Sequence, residues 1–188
     1  MTATITDLQT DLTHKVILDA AVRLLEKSSA GEVTARAVAR EAGLSERTIF
    51  RYFATREEFL DAIAAEVTRT LSMPPHPRSI DELYAMPRAL YASFESRTKL
   101  VKAAMHSEVF SRIYGGVAYQ RWLAVRKLID QHAPRANESA RKIAAANIRY
   151  FLSATSWHYY RFVFRFNLEE TVLCVETAIR QSVGALRK

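Results

Sequence analysis

The chain has 188 residues, 49% of them hydrophobic and 25% charged, enough to bury the core of one large domain or two small ones and to exclude a disordered spacer. Its formal charge of +7 suits an anionic partner, yet residues 1–72 hold nine Lys/Arg against eleven Asp/Glu, and residues 73–188 hold the other eighteen and nine. One cysteine, Cys174, excludes an intrachain disulfide and a cysteine-based zinc site and fits a reducing compartment.

With five Gly and five Pro and apolar residues recurring at three- and four-residue intervals, the sequence reads as all-α, with about nine helices. Its start, MTATITDLQTDLT, lacks the basic opening and apolar run of a signal peptide, and no stretch of about 18 uncharged apolar residues occurs. The expectation is a soluble, cytoplasmic protein with no membrane partner. Residues 1–12, polar and without a sustained period, read as a mobile arm. A first helix follows from about Thr13 to Ser28, with Val16, Ile17, Ala20, Ala21, Leu24 and Leu25 as its buried stripe, and Gly31 should stop it.

Thr34 is a natural N-cap for a short helix, Ala35 to Ala42, in which Val38, Ala39 and Ala42 face inward and which Gly43 ends. Ser45 caps a second short helix, Glu46 to Tyr52, with Ile49, Phe50 and Phe53 as its apolar side. Thr55-Arg-Glu-Glu58 is a capping box that opens a longer helix, with Phe59, Leu60, Ile63, Ala64 and Val67 on one side, running to about Leu71. Pro74, Pro75 and Pro77 stop it and mark the expected boundary between a domain over 13–72 and a second over 79–188.

Ser79-Ile-Asp-Glu82 caps a segment to about Ser96, which Pro87 should kink or restart. Helices are expected next over Leu100 to His106 and from near Gly116 to His132, the latter ended by Pro134. Glu138 to about Phe164 is apolar almost all round, and Asn167-Leu-Glu-Glu170 caps a last helix with Val172, Leu173, Val175, Ala178, Ile179, Val183 and Leu186 on one broad face.

Two short helices joined by a glycine turn, over about 34–53, form a helix-turn-helix. Val38, Ala39, Leu44, Ile49 and Phe53 hold the second helix, and Ser45, Glu46, Arg47, Thr48 and Arg51 point outward from it. Its N-terminal end is the part that a recognition helix places against base edges in the major groove.

The run VAREAGLSERTIFRYFATREEFL closely resembles the DNA-binding signature of TetR-type transcriptional regulators, and the likeness extends over about Lys15 to Val67. The resemblance implies an N-terminal three-helix helix-turn-helix DNA-binding domain followed by a C-terminal helical domain for effector binding and dimerisation. It implies that Thr34, Arg36, Ser45, Thr48, Phe50, Tyr52 and Arg56 contact the DNA backbone or the groove edge, and that Glu46 and Arg47 read bases. Two positions depart from the pattern. Phe50 stands where the family most often has Tyr, which removes a hydroxyl for phosphate and leaves an apolar contact. Arg56 stands where Lys is commoner, keeping the charge and adding a fork suited to phosphate oxygens. Arg36, Arg40 and Arg51 can equally be a solvated face, the reading favoured for Arg40.

The resemblance further implies a homodimer paired through the last two helices, Glu138 to Leu186, because a monomer of this size would expose too much of their apolar surface. Its double-stranded DNA operator would be near-palindromic. Pocket candidates for a small-molecule effector are Tyr91, Phe94, Met105, Tyr119, Trp122, Phe151 and Trp157, each of which can equally be ordinary core. The basic excess of 73–188 permits an anionic effector and equally a plain solvated surface. His106 and His158 read as structural rather than as ligands. No glycine-rich phosphate loop, HExxH motif or spaced carboxylate-histidine set occurs, so no catalysis, cofactor or metal is expected. The rival functions are an architectural, non-specific DNA binder without effector control and a partner-binding helical module.

Overall fold

The computed structural model describes residues 5–27 and 33–187, and these contain eleven α-helices and no strand. They form two compact units, one of residues up to Thr70 with Lys99–Ile113, the other of Leu71–Thr98 with the chain from Tyr114 onward. The proline stretch predicts one boundary, between 72 and 79. The packing instead returns Lys99–Ile113 to the first unit, because Leu100, Val101, Ala104 and Val109 are all buried.

In the first unit, α1 spans Ile5–Lys27, α2 Ala35–Ala42, α3 Glu46–Tyr52 and α4 Arg56–Thr70. The start of α1 corrects the arm expected over residues 1–12 from residue 5 onward, and residues 1–4 lie outside the described residues. From residue 5 the backbone is already helical, since no Gly or Pro interrupts and a helix nucleated on the buried stripe from Ile17 propagates backward at little cost. The expected stop at Gly31 lies outside the described residues. Helix α1 packs on α2 and α4, and α4 packs on α7, Val109–Ile113, a short helix with no sequence signal of its own. The core of this unit is Ile17, Leu25, Val38, Ile49, Phe53, Phe59, Ile63 and Val67. Between Ser96 and α7 runs α6, Thr98–Met105.

In the second unit, α5 (Ile80–Ser96) runs through Pro87 without restarting, and the ring is itself buried. A π-helical turn over Tyr114–Ala118 leads into α8, Tyr119–His132, which packs on α9, Glu138–Phe151. The single helix expected from Glu138 to Phe164 is in fact broken. Leu152 and Ser153 leave the helical path, Ser153 caps α10 (Ala154–His158), and a second π-helical turn covers Tyr159–Val163. The Ser153 hydroxyl accepts from the Ser156 N–H at 3.1 Å, a local bond that competes with continuation of the helix. The break at Ser153, which creates α10, and the additional α7 account for the rise from nine expected helices to eleven among the described residues. Helix α11, Leu168–Gly184, begins with the expected capping box between Asn167 and Glu170.

Tyr91 and Trp157 lie at the centre of this unit, both fully buried. The Tyr91 hydroxyl donates to the Phe151 carbonyl, and burial pushes its ionisation well above the ordinary phenol value, so it stays a donor. The Trp157 indole N–H donates to Glu95 Oε1 at 2.8 Å, and Arg161 Nε donates to the same oxygen at 2.6 Å. The Arg161 bond, with the indole N–H adding to it, holds the Glu95 carboxyl below its ordinary range against partial burial.

Because the folded-state value of Glu95 is depressed, its contribution is present above the ordinary carboxylate range and lost as pH falls through that range. Glu95→Gln should therefore cost about 1–3 kcal/mol at pH 7 by urea denaturation. It should also flatten the fall in stability between about pH 5 and pH 3. An unchanged acid limb would refute the assignment.

Candidate nucleic-acid interface

The helix-turn-helix is built from local bonds that its sequence specifies. Thr34, in extended backbone, accepts the Ala37 N–H at 3.1 Å and starts α2. Gly43 ends it at φ +68, in the left-handed region. Its N–H reaches the Arg40 carbonyl at 3.3 Å, and the Leu44 N–H reaches that of Ala39 at 2.9 Å, the paired bonds of a Schellman stop. Ser45 then accepts the Thr48 N–H at 3.1 Å, and the two hydroxyls lie 2.8 Å apart, so the first turn of α3 is pinned by its own side chains.

Helix α3 buries one edge and shows the other. Ile49 and Phe53 are 1% and 4% exposed, and the Phe53 ring meets those of His14 and Phe59, each with centroids 5.1 Å away. Ser45, Glu46, Arg47 and Arg51 are exposed and Thr48 is half-buried. Phe50 was read as part of the apolar side of the helix. It is 55% exposed instead, because it lies about 100° round the helix from Ile49, which with Phe53 takes the buried edge.

A groove of about 290 Å³ brings together Thr34, Arg36, Glu46, Phe50 and Arg56, with Ile49, Phe53 and Phe59 at its base. Five of the nine residues expected to face DNA thus border one depression. Ser45, Arg47 and Thr48 stand along the same helix, and Tyr52 lies half-buried at its far end under the Arg51 guanidinium, 5.3 Å from the ring centroid.

Arg36, Arg40 and Arg47 make no ion pair among the described residues, whereas Arg56 pairs with Glu108 and Asp61 with Arg112 at 3.4 Å. Glu108 was absent from the sequence reading, since no pattern links positions 52 residues apart. Elsewhere in the unit, hydrogen bonds from Lys27 at 2.8 Å and Arg23 at 3.2 Å hold Glu41 below its ordinary value and tie α2 to α1.

Of the expected pocket residues, Tyr91, Phe94 and Trp157 are interior packing, while Met105, Trp122 and Phe151 are half-buried and Tyr119 is 57% exposed. The Tyr119 and Trp122 rings stack with centroids 5.7 Å apart. Among the described residues, no group of three His, Cys, Asp or Glu is placed to hold a metal, and no helix is long and apolar enough to cross a membrane.

Residues 17–63 match the family of bacterial regulatory proteins of the tetR type. No curated protein matches the chain. Among solved structures, it is similar to NalD, the secondary repressor of the MexAB-OprM multidrug efflux pump in Pseudomonas aeruginosa, with a TM-score of 0.63 and 14% identity over 93% of this chain and 96% of that one. It is likewise similar to a proposed TetR-family transcriptional regulator of Mesorhizobium loti, with a TM-score of 0.57 and 16% identity over 94% and 97% of the two chains. At such identities the likeness is one of fold, and it extends over nearly the whole chain.

The turn itself is testable. The left-handed backbone at Gly43, where an added Cβ meets no atom within 4 Å, makes the penalty for substitution conformational rather than steric. Gly43→Ala should lose about 1–2 kcal/mol in urea unfolding, with Gly43→Asn losing less because Asn tolerates this region. Equal stability of Ala and wild type would contradict the assigned geometry.

Proposed function

We propose that this chain, a TetR-family protein by the domain it carries over residues 17–63, is a homodimeric, sequence-specific DNA-binding regulator of transcription that acts in the cytoplasm. The observation that supports this best is the outward edge of α3. Its first turn is locked by Ser45, its apolar edge is seated, and the exposed guanidiniums of Arg36 and Arg47 have no carboxylate partner among the described residues. Unpaired cations at the start of a rigid short helix are what phosphate and base-edge contacts require.

Arg47 is the base reader in this proposal, since one guanidinium can donate two parallel bonds to guanine, and Glu46 reads beside it. Thr34, Arg36, Ser45, Thr48, Tyr52 and Arg56 set the register on the backbone, and Phe50, exposed and apolar, meets the groove wall. For Arg56 that role means exchanging or sharing Glu108 for a phosphate.

The dimer is supported by the exposed faces of the last helices. On α9, Ser139, Ile143, Ala146, Asn147 and Tyr150 form an uncharged exposed stripe, with Ile143 and Tyr150 58% and 57% exposed. On α11, Leu173, Thr177, Gln181 and Gly184 do the same at steps of four, four and three residues, and Leu173 is 64% exposed. The two helices pack together within the unit, so both stripes are available to a two-fold partner that would complete a four-helix interface. Such a dimer presents two copies of α3 to half-sites roughly 34–36 Å apart, or a multiple of that, on a near-palindromic operator. Repression by occupying the operator, relieved by a small-molecule effector held in the helical body, is the mode we assign.

Light scattering at micromolar concentration should give twice the chain mass, and Leu173→Glu with Ile143→Glu should give monomers that keep their helix content. A monomeric wild type would remove the dimer from the proposal. On the operator selected from random DNA, Arg47→Ala should lose about 1–3 kcal/mol and relax preference at one base pair, whereas Arg56→Ala should weaken all sequences alike. Uniform coating of DNA, with no preferred site, would favour an architectural role instead.

A further inference from the structure

Among the described residues of the second unit, two half-buried arginines have no carboxylate partner. Arg88 pairs with Glu169 at 2.6 Å, Arg126 with Asp130 at 2.8 Å, Arg141 with Asp130 at 3.4 Å and Arg161 with Glu95 at 2.6 Å. Arg121 on α8 and Arg149 on α9 are half-buried and have no acidic partner among the described residues. Their acceptors are main-chain carbonyls. Arg121 donates to Pro74 at 3.2 Å, while Arg149 donates from Nε to Ala118 at 3.3 Å and from a terminal nitrogen to Leu152. The Arg121 Nε is buried and has no acceptor among the described residues.

The two guanidiniums lie within each other's field. Burial first, and then the charge of Arg149, hold Arg121 below its ordinary value, and burial does the same to Arg149. Partial burial, followed by the charges of Arg121 and Arg149, likewise lowers the His76 imidazole. Like charges gathered out of water with no counter-ion are costly, and a protein compensates such a group by pairing it. The carbonyls that orient these guanidiniums come from irregular backbone: Pro74 in the proline stretch, Ala118 at the end of a π-helical turn and Leu152 where α9 stops. Carbonyl dipoles fix the planes of the guanidiniums without neutralising them, which leaves donors and net positive charge for something else.

We propose that Arg121 and Arg149 form a binding site for an oxyanion, a carboxylate or phosphate group carried on a small organic molecule, with His76 at its edge. Trp122, the next residue of α8, stacks with Tyr119 about a quarter turn round the helix from Arg121, so an organic body that reaches past the anion meets an aromatic surface there. The site deepens the effector reading above but does not depend on DNA binding, because the counter-ion deficit is a property of this unit alone.

The test is isothermal titration of the full-length protein at fixed chloride with inorganic phosphate, phenyl phosphate and benzoate, alongside Arg121→Gln, Arg149→Gln and the double variant. We expect saturable binding of at least one organic probe, one per chain. Each single variant should weaken it at least tenfold and the double variant should abolish it, while circular dichroism stays native. Tighter binding of phenyl phosphate than of benzoate assigns a phosphate ester, and the reverse assigns an organic acid; binding of inorganic phosphate as tight as either limits the site to the anionic group alone, without a body. Thermal melting without probe should be unchanged or higher in Arg121→Gln, since one of two facing charges is gone. No saturable binding of any probe, or equal binding by wild type and variants, overturns the proposal. A melting temperature several degrees lower in both single variants, together with absent probe binding, would assign the arginines to structure alone. Repeating operator binding with the probe separates the two readings. Probe binding without any effect on DNA keeps the anion site and removes its regulatory use, and loss of all operator binding in the untreated protein removes the regulator while leaving the site intact.

Discussion

The seating of Ile49 and Phe53 is the contact on which the outward edge of α3, the proposed DNA-facing surface, depends. Helix α3 has seven residues, far fewer than an isolated helix needs to persist in water. Its direction is therefore set by what it buries, and the Phe53 ring, packed between His14 of α1 and Phe59 of α4, ties its last turn to two longer helices at once. The Gly43 turn sets the angle at which α3 arrives, and the Ser45 cap fixes where it begins. Every exposed group at the start of α3 takes its direction from those three constraints. A cavity at Phe53 would blur the interface without touching any residue that faces outward.

Much of this was legible because its causes are local. Caps and left-handed stops act over three to five residues, so Thr34, Gly43, Ser45, Thr55, Ser79 and Asn167 could be read directly. The bounds of α2 and α3 fall where those residues put them. The capping boxes shift only in detail: Glu58 and Glu82 accept from Ala54 and Arg78, each one residue before the cap. Periodicity served less well where the apolar pattern was dense. From Glu138 to Phe164 every face offers apolar side chains, so nothing in the pattern shows that Ser153 bonds its own following turn and divides the segment.

What stayed hidden was long-range. Arg56 carries the same local context whether or not Glu108 lies beside it, and the return of Lys99–Ile113 to the first unit is decided by tertiary burial of Val109 and its neighbours. The same holds for the pocket candidates. Tyr91 and Trp157 satisfy the spacing of pocket aromatics, but their polar atoms are taken by the Phe151 carbonyl and Glu95, which makes them parts of a fixed interior.

Charge is where composition misleads most and placement informs most. The segment up to residue 72 has more acids than bases, yet Arg36, Arg40 and Arg47 on α2 and α3 make no ion pair among the described residues, while several acids are engaged elsewhere: Glu41 with Lys27 and Arg23, Asp19 with Lys15, Glu66 with Arg69. A field useful to DNA arises from which charges are left uncompensated rather than from their sum. The second unit applies the same rule in reverse. It has bases to spare, and three of its half-buried arginines, Arg126, Arg141 and Arg161, are nevertheless paired. The two half-buried ones that are not paired among the described residues, Arg121 and Arg149, are held by carbonyls where helices start or stop, and carbonyls cannot cancel their charge. An exposed unpaired cation needs no partner beyond water, but a half-buried pair of them does, and that difference in solvation separates a surface for a polyanion from a site for a small one.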